Sequence, residues 1–288
     1  MTDPFVAHRS LLFTVAYEIL GSAADAEDVV QETWLRWAAV DHAEVRDPRA
    51  FLMRIATRQA LNRLRALARR REDYVGEWLP EPLLTTPDVA DDVELAESVS
   101  MAMLTVLETL TPTERAVFVL REVFDLPYEE IAVVVDKKAA AVRQVARRAR
   151  AHVAARRPRM DVGPREQQVV VERFLKALTS GDVHGLMEVL APDIVVVADG
   201  GGLVAAARKP IVGADKVVAF LSRFARIAPV AVVDTLWLNG APGGRIVLDG
   251  ELNTVMSFVV DSGRITRLYA VRNPQKLSRL VVETVLAR

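Results

Sequence analysis

The chain lacks cysteine altogether, carries almost no net charge and contains no long hydrophobic run. Without a Cys in 288 residues, it can form neither a disulfide framework nor a thiolate metal site. The N-terminus, MTDPFVAHRS, lacks the basic and then apolar pattern of a signal peptide, and no apolar run approaches the length of a membrane span. These absences fit a reducing cytoplasm and predict no membrane contact. Nothing in the sequence calls for a metal ion or a cofactor.

The formal net charge of −1 excludes a global bias toward nucleic acid, but the basic residues are not spread evenly. They cluster in two blocks, Arg54–Arg71 and Lys137–Arg159. Local clustering is the electrostatic footprint of a nucleic-acid binder, although long-range attraction will be modest. The length predicts two or three domains, and a hydrophobic fraction of 51% allows each of them to bury a core.

The segment Leu126–Val153 has the pattern of a helix-turn-helix. A short helix is predicted over Tyr128–Val134, a break near Val135–Lys138, and a long second helix over Ala139–Val153. The apolar stripe of the second helix follows helical spacing and consists of Val142, Val145, Ala146, Ala149 and Val153.

The opposite face of the second helix is basic. Its side chains are Arg143, Gln144, Arg147, Arg148 and Arg150. Arg and Gln hydrogen-bond base edges in a major groove, and Arg also binds phosphates. The alternative is a solvated face of a helical bundle, but such a face normally mixes signs, and Lys137–Arg159 contains no acid. DNA binding is therefore the favoured interpretation.

Two amphipathic helices open the chain. The first is predicted over Phe5–Leu20 and ended by Gly21, and Ser22 then caps a second over about Ala24–Ala38. On the second helix the acids Asp25, Asp28 and Glu32 line one side, and Val29, Val30, Trp34 and Trp37 cover the other. The acids either complement the dipole of their own helix or face a basic partner surface.

A polar loop, Val40–Asp47, leads into a long basic helix over Arg49 to about Arg70, with Pro48 near its first turn. The inward candidates are Phe51, Leu52, Ile55, Leu61, Leu64 and Leu67. The outward face carries Arg54, Arg58, Asn62 and Arg65, and Arg69–Arg71 extends it. A helix of this kind tracks phosphates, and neighbouring aromatic side chains can stack on unpaired bases.

Residues Glu72 to about Asp92 are predicted to form a proline-rich linker. Within it, the run Trp78, Leu79, Pro80, Glu81 and Pro82 is unusual, because a flexible linker has no need of Trp and Leu beside prolines. The alternatives are an exposed Trp that occurs by chance and a stiff docking segment with an apolar anchor. The docking segment is favoured.

Beyond the linker, Val93–Leu110 is predicted as one helix, and Thr111 with Glu114 has capping-box spacing. The last third predicts an α+β domain in which helices pack against a curved antiparallel sheet that encloses a pocket. Its predicted helices are Arg165–Leu178, Val183–Leu190, Val212–Phe224 and Gln275–Leu286. Its predicted strands are Ile194–Ala198, Val230–Leu238, Arg245–Leu248, Thr254–Val260 and Arg264–Ala270.

The first half resembles a bacterial sigma factor of the extracytoplasmic-function class. Asp25–Trp37 is similar to the polymerase-docking helix of that class, Asp47–Arg71 to the segment that melts and reads the −10 element, and Leu110–Arg150 to the domain that reads the −35 element. The second half resembles a SnoaL-like domain. The combination resembles the subgroup of these factors that carries such a domain as a fusion. Its motifs here are Trp78–Pro82, Asp199-Gly200-Gly201-Gly202 and Asn273-Pro274-Gln275-Lys276-Leu277.

The resemblance implies two all-α sigma domains, the second with a helix-turn-helix, followed by an α+β cone. It implies boundaries at 1–72 for the first sigma domain, 73–92 for the linker, 93–157 for the second and 164–288 for the SnoaL-like domain. The implied function is that of an alternative sigma factor that binds core RNA polymerase and promoter DNA. No separate membrane anti-sigma factor is then expected, because the fused domain would touch the linker and regulate activity in cis.

Residue by residue, the resemblance assigns polymerase docking to Asp25, Asp28, Gln31, Glu32 and Trp34. It assigns the −10 strand to Arg54, Arg58, Asn62 and Arg65, and the −35 duplex to Arg143, Gln144, Arg147 and Arg148. The loop Val40–Asp47 would hold an extruded base. The interdomain contacts would be made by Trp78, Leu79, Pro80, Glu81, Pro82, Asp199, Gly200, Asn273, Pro274 and Lys276, with Asn273 and Lys276 presented outward from a capped helix start.

Three positions depart from the pattern of the family. Asp136 stands in the turn where Gly is usual, Asn62 stands where Asp is common, and Leu203 replaces the usual lysine of the glycine motif. Asp tolerates a left-handed backbone better than most residues, so the turn can still form. Because Asn62 departs from the family pattern, the resemblance does not predict the exact promoter sequence that is preferred. Because Leu203 replaces a lysine, position 203 has no polar function.

Two other classes of function are open at this stage. One is a ligand-responsive DNA-binding regulator that does not act as a sigma factor, which would have no need of the acidic docking helix. The other is an enzyme, with Asp193, Asp199, Asp234 and His184 as candidate bases. No His/Asp pair has a telling spacing, and Asp193 after Pro192 is interpreted as a turn residue, so no catalytic residue is predicted. A small-molecule ligand in the cone is the more plausible use of a pocket.

Overall fold

The computed structural model describes residues 3–71, 74–158, 162–227 and 231–288, and the side chains of 68–71 and 224–227 lie outside this description. The first helical domain is made of α1 Pro4–Leu20, α2 Ala23–Ala38 and α3 Pro48–Arg71, with a 3-10 turn at His42–Glu44. Gly21 ends α1 in the left-handed conformation, with φ of 68°, and Ser22 Oγ accepts a hydrogen bond from Asp25 N at 3.2 Å. Both signals were predicted. The predicted basic extension Arg69–Arg71 lies outside the described side chains.

The second helical domain holds five helices within the described residues: α4 Val93–Val99, α5 Met101–Leu107, α6 Pro112–Phe118, α7 Tyr128–Val135 and α8 Ala139–Ala154. The prediction of a single helix over Val93–Leu110 is wrong. Ser100 adopts an extended ψ of 145° and its Oγ accepts from Met103 N, so the residue ends α4 and caps α5. A π turn at Val119–Val123 continues α6.

The helix-turn-helix is confirmed. Asp136 takes the left-handed conformation at the turn, with φ of 55°. The turn therefore forms although Asp stands where the family usually has Gly. Lys137 N then donates to Ala132 O and closes the turn. The predicted apolar stripe of α8 is buried at every position: Val142, Val145, Ala146, Ala149 and Val153.

The C-terminal domain is α+β, as predicted. Its described strands form one sheet in the order β2-β1-β6-β5-β4-β3, with β1 and β6 parallel and the other neighbours antiparallel. The strands are β1 Leu190–Asp199, β2 Ile211–Val212, β3 Val232–Leu238, β4 Ala241–Leu248, β5 Glu251–Asp261 and β6 Arg264–Val271. The helices are α9 Pro164–Ser180, α10 Val183–Val189, α11 Ala214–Ile227 and α12 Pro274–Leu277. Val230, where the prediction began β3, lies outside the described residues.

One side of the sheet packs on α9 and α11 and forms a core of its own. Phe174 and Phe258 meet edge to face there, with ring centroids 5.3 Å apart, and Met256 and Leu175 fill the space beside them. The sequence predicted a pocket in this place. The described side chains pack there as a core, and the predicted pocket stays a prediction.

Two local predictions in this domain are wrong. The terminal helix predicted over Gln275–Leu286 ends at Leu277, and the following tail is not helical. The reason is tertiary, since Thr284 N donates to Leu84 O and Leu286 inserts into the core of the helical domains. Asp193 is not a turn residue but lies within β1, exposed, where the register of β1 and β6 shifts.

The three parts of the chain share buried contacts. One core cluster contains residues of both helical domains, and a second joins Leu79 of the linker and Met101 of α5 to the outer face of the sheet. This second cluster includes Leu238, Val255 and Tyr269. None of the described helices is both long and apolar enough to cross a membrane.

Candidate functional site

The acidic face of α2 is paired largely with α3, although Asp28 and Glu32 stay about half exposed. Arg63 of α3 binds Asp25 through Nε at 2.5 Å and Asp28 through Nη2 at 2.6 Å. Glu32 accepts from Gln59 at 2.6 Å and from Arg36 at 3.1 Å. The sequence analysis did not consider Arg63, which lies on the inner side of the basic helix. The carboxylates thus connect α2 to α3 and remain partly accessible.

An apolar patch remains exposed beside the acids. Trp34, predicted on the covered side of α2, is 41% exposed, and its ring contacts that of Phe5 with 5.1 Å between centroids. Leu35 is 67% exposed and Val6 of α1 60%. The sequence analysis missed Leu35 and Val6, although both are apolar residues outside the buried stripes of their helices.

The outward face of α3 is exposed but covered in part by the helix-turn-helix. Arg54, Arg58, Arg65 and Asn62 all lie outward, as predicted. Arg58 Nη2 lies 3.4 Å from the carbonyl oxygen of Val133 on α7. A cleft of about 260 Å³ between α3 and α7 is lined by Arg36, Arg54, Ile55, Arg58, Gln59, Asn62 and Val133. The −10 face assigned by the resemblance therefore looks onto the second helical domain.

The loop at 40–47 borders a larger groove of about 700 Å³ on the same side of the molecule. Its far wall comes from the second helical domain, through Phe124, Leu126 and Pro127. Within the loop, His42 stacks on Trp37 with ring centroids 4.1 Å apart, which holds the 3-10 turn against α2. The loop is thus ordered by the first domain and faced by the second.

The basic face of α8 is open, in contrast with that of α3. Gln144 and Arg147 are exposed, and Arg147 makes no ion pair with any described residue. Arg143 lies 2.7 Å from Glu129, but both side chains are more than half exposed, and Arg148 is 3.7 Å from Glu114. Exposed pairs of this kind contribute little and exchange readily for a phosphate.

The linker docks on the C-terminal domain through one buried carboxylate. Asp199, at the end of β1, is fully buried and accepts hydrogen bonds from Tyr74 OH at 2.6 Å and Leu79 N at 3.0 Å. Lys276 Nζ lies 2.7 Å from the same carboxylate and also donates to the carbonyl oxygen of Leu79. Burial and the hydrogen bond to Asp199 raise the pKa of Tyr74.

The predicted motifs therefore meet, but not in the orientation expected for Lys276 and Asn273. Both were predicted outward and both are buried, with 6% and 3% of their surface exposed. Asn273 does cap α12, since its Oδ1 accepts from Gln275 N, and its Nδ2 donates to Tyr74 OH at 2.9 Å. The Lys276 ammonium lies 4.1 Å from the centre of the Trp78 ring. The linker and the C-terminal motifs are in contact, and Tyr74, which lies outside the motifs, takes part in it.

Backbone space explains the glycines of the second motif. A Cβ on Gly201, with φ of 62°, would collide with Asn273 Nδ2, and one on Gly200 would lie 2.5 Å from the carbonyl oxygen of Val204. Gly201 N donates to Asp199 Oδ1 at 2.9 Å. The glycines thus allow the turn to wrap closely around Asp199.

The remaining linker residues attach to the first helical domain. Glu81 N donates to Gly21 O, and its carboxylate accepts from Ala24 N at 2.9 Å, at the start of α2. Burial raises the pKa of Glu81, and the backbone donors oppose that shift. Pro80 and Pro82 are buried on either side. One short segment therefore contacts both the sheet and α1–α2.

A further contact was missed by the sequence analysis. Asn239, in the turn between β3 and β4, is 1% exposed, and its side chain bonds to three parts of the chain. Its Nδ2 lies 2.7 Å from Tyr17 OH of α1 and 2.8 Å from the carbonyl oxygen of Val99 of α4, while its Oδ1 accepts from Leu83 N at 3.0 Å. An Asn-Gly pair is typical of a two-residue hairpin turn, but nothing in the sequence marks this one as an interdomain contact.

The candidate bases are not brought together. Asp199 binds the linker, Asp234 pairs with Arg245 at 2.5 Å on the surface, and Asp193 and His184 are exposed elsewhere. Among the described residues, no group of three or more His, Asp or Glu side chains is placed to hold a metal ion.

Comparison with known proteins matches both helical domains and the chain as a whole. The family Sigma-70 region 2 matches residues 5–70, and Sigma-70, region 4 matches residues 100–153. The ECF RNA polymerase sigma factor SigJ of Mycobacterium tuberculosis is 37% identical over 95% of this chain and 92% of its own length. The probable ECF RNA polymerase sigma factor SigI of the same species is 32% identical over 96% and 94%. The crystal structure of the M. tuberculosis extracytoplasmic function sigma factor SigJ superposes with a TM-score of 0.80 and 33% identity, and covers 97% of this chain and 99% of that one.

Fold and matched regions define a transcription initiation factor that is not an enzyme: two helical DNA-binding sigma domains fused to an α+β domain. The chain belongs to the ECF RNA polymerase sigma factors, of the SigJ type. Sigma factors bind core RNA polymerase and promoter DNA, and both are therefore partners of this protein.

Proposed function

We propose that α3 and α8 read the two promoter elements. Arg54, Arg58, Asn62 and Arg65 contact the −10 strand, and an extruded base enters the groove beside the loop at 40–47. On α8, Arg143, Gln144, Arg147 and Arg148 contact the −35 duplex. The supporting observation is that both faces point outward from their own domain, with apolar residues packed behind them.

Core polymerase docks on α2 in this proposal. The exposed surface of α2 combines the polar Gln31 with the apolar Trp34 and Leu35. Exposed aromatic and aliphatic side chains of this kind act as anchors of protein interfaces. Asp25, Asp28 and Glu32 border it, paired with α3. These pairs also fix α2 against the −10 helix, so that docking and DNA reading are mechanically connected.

The C-terminal domain regulates the sigma domains in cis. The single observation that carries this is the buried contact of Asp199 and Lys276 with Tyr74 and Leu79 of the linker. A linker fixed in this way cannot vary the spacing of α3 and α8 freely. In the described arrangement α7 also faces α3, so reading of the −10 strand requires the helical domains to separate.

Run-off transcription with purified core polymerase tests the sigma function. The template is a promoter library with randomised −35 and −10 segments, and the transcripts are sequenced. Specific transcripts from the full chain are expected, with Arg147→Ala relaxing the −35 consensus and Asn62→Ala the −10 consensus. Duplex binding without any transcript would instead favour the ligand-responsive regulator that does not act as a sigma factor.

A matched pair of variants tests the cis contact. Tyr74→Phe removes one hydrogen bond to Asp199 and is expected to change transcript yield with the fold intact, whereas Tyr128→Phe, on α7 and away from the linker, serves as control. Equal yields from the two variants and the parent chain would contradict the proposal.

The small-molecule ligand predicted for the C-terminal domain stays a prediction, which a thermal-shift screen of metabolites addresses. A chain with this function acts where core polymerase acts, in the cytoplasm.

A further inference from the structure

The β3–β4 turn of the C-terminal domain differs from the two other hairpin turns of the same sheet. Asn239-Gly240, Asp249-Gly250 and Ser262-Gly263 share one backbone conformation, with φ of 51–53° at the first residue and 72–83° at the glycine. Asp249 and Ser262 are exposed, and a Cβ on either of their glycines would meet nothing within 4 Å. A two-residue turn of this type therefore does not require burial or an Asn side chain.

Only the first of these three turns lies against the sigma domains. A Cβ on Gly240 would lie 3.1 Å from Cα of Ala96 in α4, and Gly240 N donates to Thr85 Oγ1 of the linker at 3.0 Å. The Asn239 amide donates two hydrogen bonds from Nδ2, one to Tyr17 OH of α1 and one to the carbonyl oxygen of Val99 of α4, so a single side chain connects the two helices. An amide is suited to this position because it donates twice and accepts once without charge.

The C-terminal tail makes a second contact with the same pair of helices. Leu286 lies in the core of the helical domains, and Ala287 N donates to Thr14 Oγ1 of α1 at 3.1 Å. Arg288 pairs with Asp92 at 3.0 Å and with Glu94, at the start of α4. The turn thus contacts the end of α4 and the tail its beginning, each while bound to α1.

From these contacts we infer that the C-terminal domain clamps α1 to α4 at two points, the Asn239-Gly240 turn and the Leu286–Arg288 tail, and that the clamp withholds the −10 face of α3. This inference rests on the proposed regulation in cis but assigns it to contacts outside the linker motifs. Tyr17 and α3 belong to the first helical domain, and Val99 and α7 to the second. Holding α1 against α4 therefore also holds α3 against α7. Release of both points is the step that exposes α3.

The absence of cysteine makes the clamp directly measurable. Ala38→Cys on α2 and Ala151→Cys on α8, both exposed, take a donor and an acceptor dye in the full chain. Single-molecule energy transfer without polymerase then gives the ratio of open to closed molecules. Asn239→Ser keeps the turn, as Ser262 shows, and removes the bridging amide; Asp249→Ser is the matched control. Loss of buried hydrogen bonds is expected to raise the open-to-closed ratio about tenfold in Asn239→Ser and to leave the control unchanged.

Unlabelled variants are compared by run-off transcription in parallel, where the opened variant is expected to give more transcript than the parent chain. An unchanged ratio in Asn239→Ser, or an equal rise in Asp249→Ser, would overturn the clamp. An increased ratio with less transcript would overturn its inhibitory sense. If Asn239→Ser does not fold, as judged by circular dichroism, Leu286→Ala decides, because it weakens the tail contact and leaves the linker untouched. Tyr17→Phe is a further comparison, since it removes the hydroxyl that accepts from Asn239 and also donates to Glu81 O of the linker. Opening by energy transfer with no transcript from any chain would count against the sigma function and leave the clamp standing.

Discussion

At the scale of single residues, the contact between the two helical domains contains buried ionisable groups. Glu18 of α1 is fully buried and accepts from Ser98 Oγ at 2.8 Å. Burial raises the pKa of Glu18 to about 8, against the lowering effects of Ser98 and Arg115. Burial lowers the pKa of Arg115 to about 9, and its Nε donates to the carbonyl oxygen of Glu18 at 2.9 Å. Both groups regain hydration when the domains separate, which makes this seam easier to open than an apolar one.

Glu18 should make closure depend on pH. Its pKa is raised from 4.5 to about 8 in the closed chain, so closure takes up a proton between these values. The contribution to closed-state stability is complete below pH 4.5 and is lost as the pH rises through about 8. The limiting slope is about 1.4 kcal/mol per pH unit. Thermal unfolding and energy transfer between about pH 5 and 7.5 should show this slope in the parent chain, with levelling above about pH 8, and a much flatter dependence in Glu18→Gln. A parallel pH dependence in both would contradict the assignment.

The Asp199–Lys276 pair should be costly to break from one side. Lys276→Met leaves a fully buried carboxylate without its ammonium partner and is expected to destabilise the chain by about 3–5 kcal/mol. Adding Asp199→Asn should recover part of that loss, which a double-mutant cycle by denaturant unfolding measures. Arg245→Met in the exposed Asp234–Arg245 pair is the matched control, with about 1 kcal/mol or less expected. Equal losses in the two pairs would refute this account.

At the scale of elements, helix boundaries were predicted correctly where the local residue types allow few alternatives. They were predicted wrongly where a residue type occurs both inside helices and at their ends. Gly21 and the capping box of Thr111 and Glu114 were recognised because their residue types have few other uses at those positions. Ser100 was overlooked, because Ser is tolerated inside a helix and caps one only if the chain turns there. The turn at Ser100 lets α4 reach α1 while α5 packs on the sheet.

Ser100→Ala should therefore cost stability through the loss of a cap. Its Oγ accepts from Met103 N at 3.1 Å at the start of α5, and removal of such a cap costs about 0.5–2 kcal/mol. Differential scanning calorimetry of the full chain measures the effect. Ser262→Ala, in an exposed turn, is the control, for which a smaller change is expected. An unchanged or higher midpoint of thermal unfolding in Ser100→Ala would contradict the role of Ser100 as a cap.

At the scale of the whole molecule, the two DNA-reading faces differ in access. The α8 face is open, whereas α3 faces Val133 of α7. The closed chain should thus bind the −35 duplex alone and gain the −10 contact only after opening. In a plot of the logarithm of the duplex-binding constant against the logarithm of the salt concentration, the magnitude of the slope should fall by about one when Arg147 is replaced by Ala.

A reversible lock tests this order. In the cysteine-free chain, Arg58→Cys and Val133→Cys are joined by a short bifunctional reagent that reductant cleaves. The locked chain is expected to bind duplexes with the selected −35 segment within about twofold of the cleaved chain, because the α8 face is untouched. It is expected to give no transcript until the reagent is cleaved. Transcription by the locked chain at the level of the cleaved one would show that α3 works without leaving α7.

The sequence by itself determined the three-part organisation, the helix-turn-helix, the basic faces of α3 and α8 and the two motifs that meet the linker. These depend on periodicity, capping and residue type, which act over a few neighbours. Tertiary structure alone decided that Arg63 pairs with Asp25 and Asp28, that Lys276 and Asn273 are buried, and that Asn239 and the tail join α1 to α4. Each of these contacts joins residues far apart in the chain, and their partners are fixed only when the separate cores pack together.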